Sequence, residues 1–385
     1  MSIIPAYSRI AFTGNPIFVD PGGYMPRPFN IVHVATGVSY TGDMSLETRI
    51  NIADVAEAMV PDVAPFDNSM RDGSMIYADP DNAHRLLHVS YDAGGAEVAD
   101  TIMAMRGGIS AASFRRLMAE QSDIFSRRFL NPTGNFFLTT RTASWIIPIK
   151  ETELHPLYFF AQPRPVEIYS GGLDEAVVIP ATGQPQLCIL DIEEIRRYGI
   201  ENCGILDNVI DLRVDGVTVC RIVIVQDDPA PERYRLLFRN SYGVWEIMSV
   251  VGALMVADGA DDDAENASYS SYDSVSDTFC RCRTRYGSSR SLTVETGTMR
   301  RDEIPLMMDM LRSPDVYLLD YAPERIKVIP SAEELSYPHD PVAPVSFNLN
   351  LTLCDKDTGM APEYVDGSES RPPGIFSPQF SNQFN

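Results

Sequence analysis

Alternation of apolar and polar positions dominates the chain. SFNLNLTL (346–353) puts Phe347, Leu349, Leu351 and Leu353 on one face and reads as a half-buried antiparallel strand. Further strand signals are PRPFNIVHVATGVSY, HRLLHVSYDA, GNFFLTTRT, SWIIPI, HPLYFFAQ, EAVVIPA, VIDLRVDGVTVCRIVIVQ, YRLLFRN, RSLTVET, VYLLD and RIKVIPS. All are rich in β-branched, aromatic and large aliphatic residues, with Gly, Pro, Asn and Asp at their ends. Val-Asp-Gly-Val at 214–217 predicts a tight hairpin, because Asp-Gly suits a primed turn.

Helical periodicity is rarer. Ile52, Val55, Ala56 and Met59 follow i, i+3, i+4, i+7, with Asn51 as the expected N-cap. Residues 110–121 predict a second helix. In TGTMRRDEIPLMMDMLRSPDVYLL (296–319), Ile304, Met307, Met308 and Leu311 form a predicted apolar stripe. Pro305 suits a first helical turn, and Ser-Pro at 313–314 ends the helix. Ile-Asn-Ile-Ala-Asp-Val (50–55) and Leu-Asp-Ile-Glu-Glu-Ile (190–195) share one pattern. A β-rich unit with a small helix is therefore expected twice, about 140 residues apart.

These elements imply a mainly β chain: two or three β-sandwich-like domains with short accessory helices and an extended C-terminal arm. The expected divisions are an N-terminal β-rich domain with short helices at 1–150 and a second β-sandwich-like domain at 151–257. An acidic linker follows at 258–268, then a third β domain with one amphipathic helix at 269–360 and the arm at 361–385. Polar 150–156 and acidic 258–268 mark the boundaries by composition. A length of 385 residues suits this division.

Composition narrows function mostly by exclusion. A net charge of −22 argues against a surface that grips nucleic acid or anionic lipid. It suits solubility before assembly, or a channel wall that DNA slides past. No run of about 18 apolar residues is present, so membrane insertion is not expected. The N-terminus MSIIPAYSRI lacks the basic and apolar regions of a secretory signal. Cys188, Cys203, Cys220, Cys280, Cys282 and Cys354 are too sparse for a disulfide scaffold and are expected to be reduced.

Candidate chemistry is thin. Asp258, Asp261, Asp262, Asp263 and Glu265 lack calcium-loop spacing and read as a solvated linker. Cys280 and Cys282, or His84 and His88, supply pairs without a second pair to complete a zinc site. Met-Arg-Gly-Gly-Ile-Ser (105–110) matches no phosphate loop and reads as a turn needing positive φ. Trp145 and Trp245 read as core or sheet-edge residues, with interface anchoring as the alternative. No catalytic, cofactor-binding or metal-ligating residue is assigned.

Phe-Thr-Gly-Asn-Pro (12–16), Leu-Leu-Phe-Arg-Asn-Ser-Tyr-Gly-Val-Trp-Glu (236–246) and the stretch from Thr-Val-Glu-Thr-Gly (293–297) to the closing strand occur in order. Met-Arg-Gly-Gly-Ile-Ser and Phe-Leu-Thr-Thr (137–140) join them. The set resembles a group of virion structural proteins, of the tail, baseplate or connector, from tailed phages that infect Bacteroidetes. The resemblance implies a non-enzymatic structural subunit without cofactors, acting by self-association, as a homo-oligomeric ring, and by docking to other virion proteins. It would be made in the host cytoplasm and end in the virion. The alternative is a receptor- or glycan-binding module at a tail tip, with Tyr269, Tyr272, Tyr286 and Trp245 as exposed stacking residues.

Overall fold

The computed structural model describes residues 3–20, 28–43, 49–60, 65–66, 71–78, 84–92, 96–122, 137–142, 144–161, 164–181, 186–227, 229–230, 232–261, 287–300, 303–322, 324–332, 335 and 345–354. The chain is mainly β with a few short helices. Cys280, Cys282, Tyr269, Tyr272, Tyr286 and the arm 361–385 lie outside the described residues.

The first unit contains strands β1 (Ile10–Phe12), β2 (Phe18–Val19), β3 (Pro28–His33), β4 (Ser39–Asp43) and β5 (Ile50–Asn51). Helix α1 (Ala53–Met59) follows, then β6 (Ile76–Ala78), β7 (His84–Asp92) and β8 (Glu97–Met105). Its sheet has the order β1-β8-β7-β3-β4, with β1 parallel to β8 and the other pairs antiparallel. Helix α2 (Ala111–Glu120) leads out of this unit, capped by the Ser110 hydroxyl accepting from the Ser113 N–H.

The second unit contains β9 (Ile146–Lys150), β10 (Leu157–Ala161), β11 (Val166–Ser170), β12 (Val177–Ile179), β13 (Gln186–Leu190), α3 (Ile192–Tyr198), β14 (Val209–Val214) and β15 (Val217–Val225). Its sheet runs β9-β15-β14-β11-β12, again with one parallel pair, β9 with β15, at one edge. The topology of the first unit is repeated, except that β6 has no counterpart in the second. The β2–β5 antiparallel pair recurs as β10–β13, and α1 recurs as α3.

The six-residue match marks equivalent positions. Asn51 accepts from the Ala53 N–H at 3.1 Å, and Asp191 accepts from the Glu193 N–H at 3.1 Å. Each side chain satisfies a helix-start donor that has no partner inside the helix. The helix ranges place Ile52, one residue past Asn51, at the formal cap of α1.

The repeats exchange one strand. β6 of the first unit pairs antiparallel with β13 of the second. β10 and β13 are consequently covered on both faces. Leu157, Phe159, Cys188 and Leu190 join the core of the second repeat, while Tyr158, Phe160, Leu187 and Ile189 face a shared core between units. Burial on both faces explains their nearly continuous apolar sequences, LYFFA and QLCIL.

The third unit is a closed barrel of β16 (Arg233–Arg239), β17 (Trp245–Asp261), β18 (Gly287–Glu295), β19 (Val316–Leu319), β20 (Ile326–Ser331) and β21 (Asn348–Leu353). Its order is β16-β17-β18-β21-β20-β19, and helix α4 (Ile304–Arg312) precedes β19. Leu349 and Leu351 of the alternating strand point into its core with Leu236, Phe238, Val250, Leu292 and Leu318. Ile304, Leu306, Met307 and Met310 of α4 complete that core, whereas Met308 and Leu311 are only partly buried. The buried face of α4 is thus rotated from the expected stripe, because Asp309 is drawn toward a polar junction.

Strand pairing cuts across the expected divisions. β9 lies before residue 150 yet belongs to the second sheet. Residues 258–261 of the expected acidic linker continue β17 and pair with β18. The Asp215-Gly216 hairpin turn forms as expected, with φ of 52° and 77°.

Candidate functional site: a buried junction between repeats and barrel

Short motifs far apart in sequence meet at one place. Gly14 donates its N–H to the Gly107 carbonyl at 2.7 Å, and Gly108 donates to the Ser241 carbonyl at 2.6 Å. Asn15 clamps Ile109, accepting from its N–H at 2.7 Å and donating to its carbonyl at 2.9 Å. A Cβ on Gly107 would sit 2.4 Å from the Tyr242 backbone carbon, and one on Gly243 would sit 2.0 Å from the Arg106 carbonyl oxygen. Their φ values are +109° and +80°. The Gly pair at 107–108 therefore serves close backbone approach, with positive φ at Gly107. Phe12 packs on Tyr242, ring centroids 5.8 Å apart.

Behind this contact lies a buried polar network. Arg141 donates to the Glu153 carboxylate and to the Ile247 carbonyl. The second Glu153 oxygen accepts from the Ser249 N–H and hydroxyl, both at 2.8 Å. Glu246 accepts from the Thr139 hydroxyl, from the Thr140 N–H at 3.3 Å and from Asn240 Nδ2 at 2.8 Å. Asn240 also donates to the Leu138 carbonyl at 2.8 Å and accepts from the Tyr242 and Val244 N–H groups. Asp309 of α4 accepts from the Thr140 hydroxyl at 2.9 Å, from the Ser241 N–H at 2.9 Å and from the Ser241 hydroxyl.

The partners come from four places in the chain. Thr139–Arg141 precede the second repeat, and Glu153 and His155 join β9 to β10. Glu246 and Ser249 lie on β17, and Asp309 lies on α4. Arg141, Glu153, His155 and Glu246 are each less than 5% exposed. The polar boundary expected at 150–156 is thus a connector that buries Glu153 and His155 and leaves Glu151 exposed.

Charge states follow from burial. Burial pushes Glu153 up, but the Arg141 and Lys150 cations outweigh it and hold its carboxyl below the usual range. Burial raises Glu246 against the opposing pull of Arg141, 3.7 Å away. Burial, with the Arg141 cation, lowers His155 to about 3. Its Nδ1 contacts the Glu153 carbonyl at 2.7 Å, and its Nε2 lies 4.0 Å from Glu246. The adjoining cavity of about 10 Å³ has room for at most one water. This arrangement ties the segments flanking the second repeat to β17 and α4 of the barrel.

Other sequence candidates lie elsewhere. His84 and His88 share one face of β7, and no cluster of three or more metal-ligating side chains occurs among the described residues. Cys188 and Cys220 are buried, and Cys354 is exposed. Trp245 is buried at 6% against Tyr317, as its core reading expected, and is not the exposed stacking residue of the alternative. Trp145 is half-buried beside Arg221.

Sequence reasoning named the glycine motifs but missed the network. Two signals were present: Glu246 within the apolar run WEIMSVV, and Asp309 amid the apolar residues of α4. A charge inside an apolar run needs a buried partner. No family model matches the chain, and no curated protein matches it significantly in sequence.

Three outcomes are expected. Replacing Arg141 with Met leaves Glu153 buried without its cation and costs about 3–5 kcal/mol in urea unfolding. Adding Glu153→Gln to that variant recovers part of the loss, giving a non-additive cycle. Gly243→Ala costs about 3 kcal/mol or more, read by the same titration, because it adds steric overlap to a strained φ.

A further outcome concerns pH. The folded-state pKa of His155 lies below the unfolded value, so its contribution is complete above about pH 6.5 and is lost as pH falls toward 3. Between pH 6.5 and 5 the loss is about 2 kcal/mol. Raised Glu246 acts in the opposite direction. A His155→Gln variant isolates the histidine: its stability falls less steeply over this range than that of the parent chain.

Proposed function

We propose that this chain is a non-enzymatic structural subunit of a phage virion, of the tail, baseplate or head–tail connector. It acts by self-association and by docking to neighbouring virion proteins. The observation that carries this reading is a two-stranded ribbon that outruns the barrel. β16 pairs with β17 only as far as Val251, while β17 and β18 remain paired out to Asp261 and Gly287. β21 pairs with β18 only from Ser291 onward. Closing the barrel leaves the described strands of the third unit without open edges except along this ribbon.

The ribbon has the character of an interface. A lone two-stranded ribbon is marginally stable in water. Its base carries Met255 and Val256, 66% and 53% exposed. Open edges in the two repeats also carry exposed apolar residues, Tyr40 on β4 and Val178 on β12. Unpaired edges with apolar side chains are suited to strand addition by a neighbour. The net charge of −22 keeps such a surface soluble before assembly.

Light scattering over a concentration series tests the proposal. The expected result is a discrete multiple of 42.7 kDa, alone or with a neighbouring virion protein. Met255→Lys combined with Val256→Lys is expected to shift that mass toward the monomer without lowering the unfolding midpoint. A strict monomer under both conditions overturns the reading.

A further inference from the structure

The junction between the repeats and the barrel holds a hydroxyl and a carboxyl in direct contact, away from water. Thr139 donates its hydroxyl to Glu246 Oε1, and both residues are 1% exposed. The Arg141 N–H donates to Thr139 Oγ1 at 3.2 Å, which fixes where the hydroxyl sits. The other carboxyl oxygen, Oε2, accepts from Asn240 Nδ2 at 2.8 Å and from the Thr140 N–H at 3.3 Å. The two Glu246 oxygens therefore have different surroundings: one meets a hydroxyl, the other a pair of N–H donors. The Thr140 hydroxyl is not equivalent, because it donates to Asp309 at 2.9 Å and stands 3.5 Å from Oε2.

Charge balance leaves Glu246 without a cation of its own. Arg141 donates to Glu153, which the Arg141 and Lys150 cations keep ionised. Burial raises Glu246 above the usual carboxylate range against the weaker pull of Arg141, and the Asp309 carboxylate adds to the rise. A neutral carboxylic acid, unlike a carboxylate, is open to attack by a hydroxyl.

His155 supplies a base at the same oxygen. Its Nδ1 lies 2.7 Å from the Glu153 carbonyl, an acceptor, so Nδ1 carries the proton and Nε2 presents a lone pair. That Nε2 is buried, has no hydrogen-bond partner among the described residues and stands 4.0 Å from Oε1. A hydroxyl, an acyl carbon, an oriented base and a pair of N–H donors are the parts of an acyl-transfer site. Here nucleophile and acyl group belong to one chain.

We propose that Thr139 Oγ1 and the Glu246 carboxyl condense into an ester inside the folded chain, releasing one water. Oγ1 attacks Glu246 Cδ, and its proton passes to His155 Nε2. Negative charge falls on Oε2, where Asn240 Nδ2 and the Thr140 N–H hold it. The carbonyl then re-forms at Oε2, and Oε1 leaves with the acid proton and the proton returned by His155, as water. Holding the two groups in contact gives an effective concentration of about 10⁵ M or more. The adjoining cavity of about 10 Å³ admits at most one competing water. The bond joins positions 107 residues apart and locks the repeats to the barrel covalently. This goes beyond the assembly reading and stands whether or not the chain self-associates.

The test is the intact mass of the full chain, denatured after incubation in the folded state. The expected mass is lower by one water than the sequence requires, and digestion yields a peptide pair joining Thr139 to Glu246. Alkaline hydroxylamine separates that pair and leaves a hydroxamate on Glu246. Thr139→Ser also loses the water, whereas Thr139→Val keeps the full mass. His155→Gln slows the loss about a hundredfold or more. A full mass in the parent chain overturns the proposal. A water loss that persists in Thr139→Val also overturns it, as does one that maps to Asp-Gly at 215–216 or 258–259, where a succinimide has the same mass.

Discussion

One arginine between two buried carboxylates sets the terms for the rest of the molecule. Arg141 reaches Glu153 and Glu246 from a segment that belongs to neither repeat sheet, and all three are almost wholly removed from water. Burying charge is costly unless every donor and acceptor is placed, so the surrounding elements have little freedom. Ser249, Thr139 and Asn240 supply the donors that the carboxylates need. The glycine contact in front of the network has the same effect by steric means, since only hydrogen at Gly107 and Gly243 lets the backbones touch. Together they turn a tandem repeat and a barrel into one body.

The duplication helps to explain where the molecule is uniform and where it is not. Both repeats keep a five-stranded sheet with one parallel edge, a flanking strand pair and a short helix started by an Asn or Asp. They differ in what surrounds that frame. The first repeat keeps its preceding segment over its own core and sends β6 across to the second. Thr139 and Arg141, which precede the second repeat, are spent on the junction instead.

The surface continues this logic. Polar groups converge in the interior, where they are enclosed and matched, while the ribbon and the sheet edges present backbone and apolar side chains outward.

Much of the local structure was legible in the sequence because it depends on neighbours along the chain. Alternation located β21, Asp-Gly located the 215–216 turn, and the six-residue match between 50–55 and 190–195 pointed to the duplication. Buried strands such as β10 and β13 were recognisable from their continuous apolar runs. The tertiary structure alone decided that the third unit closes into a barrel, that β9 belongs to the second sheet, and that α4 turns Asp309 toward Ser241 and Thr140. It also decided that Glu153 and His155 of polar 150–156 are buried and that Trp245 is enclosed. The reason is physical: periodicity reports which face of an element is apolar, but not what that face meets. Arg141 and Glu246 stand 105 positions apart, as do many such partners, and only folding brings a charge to the group that compensates it.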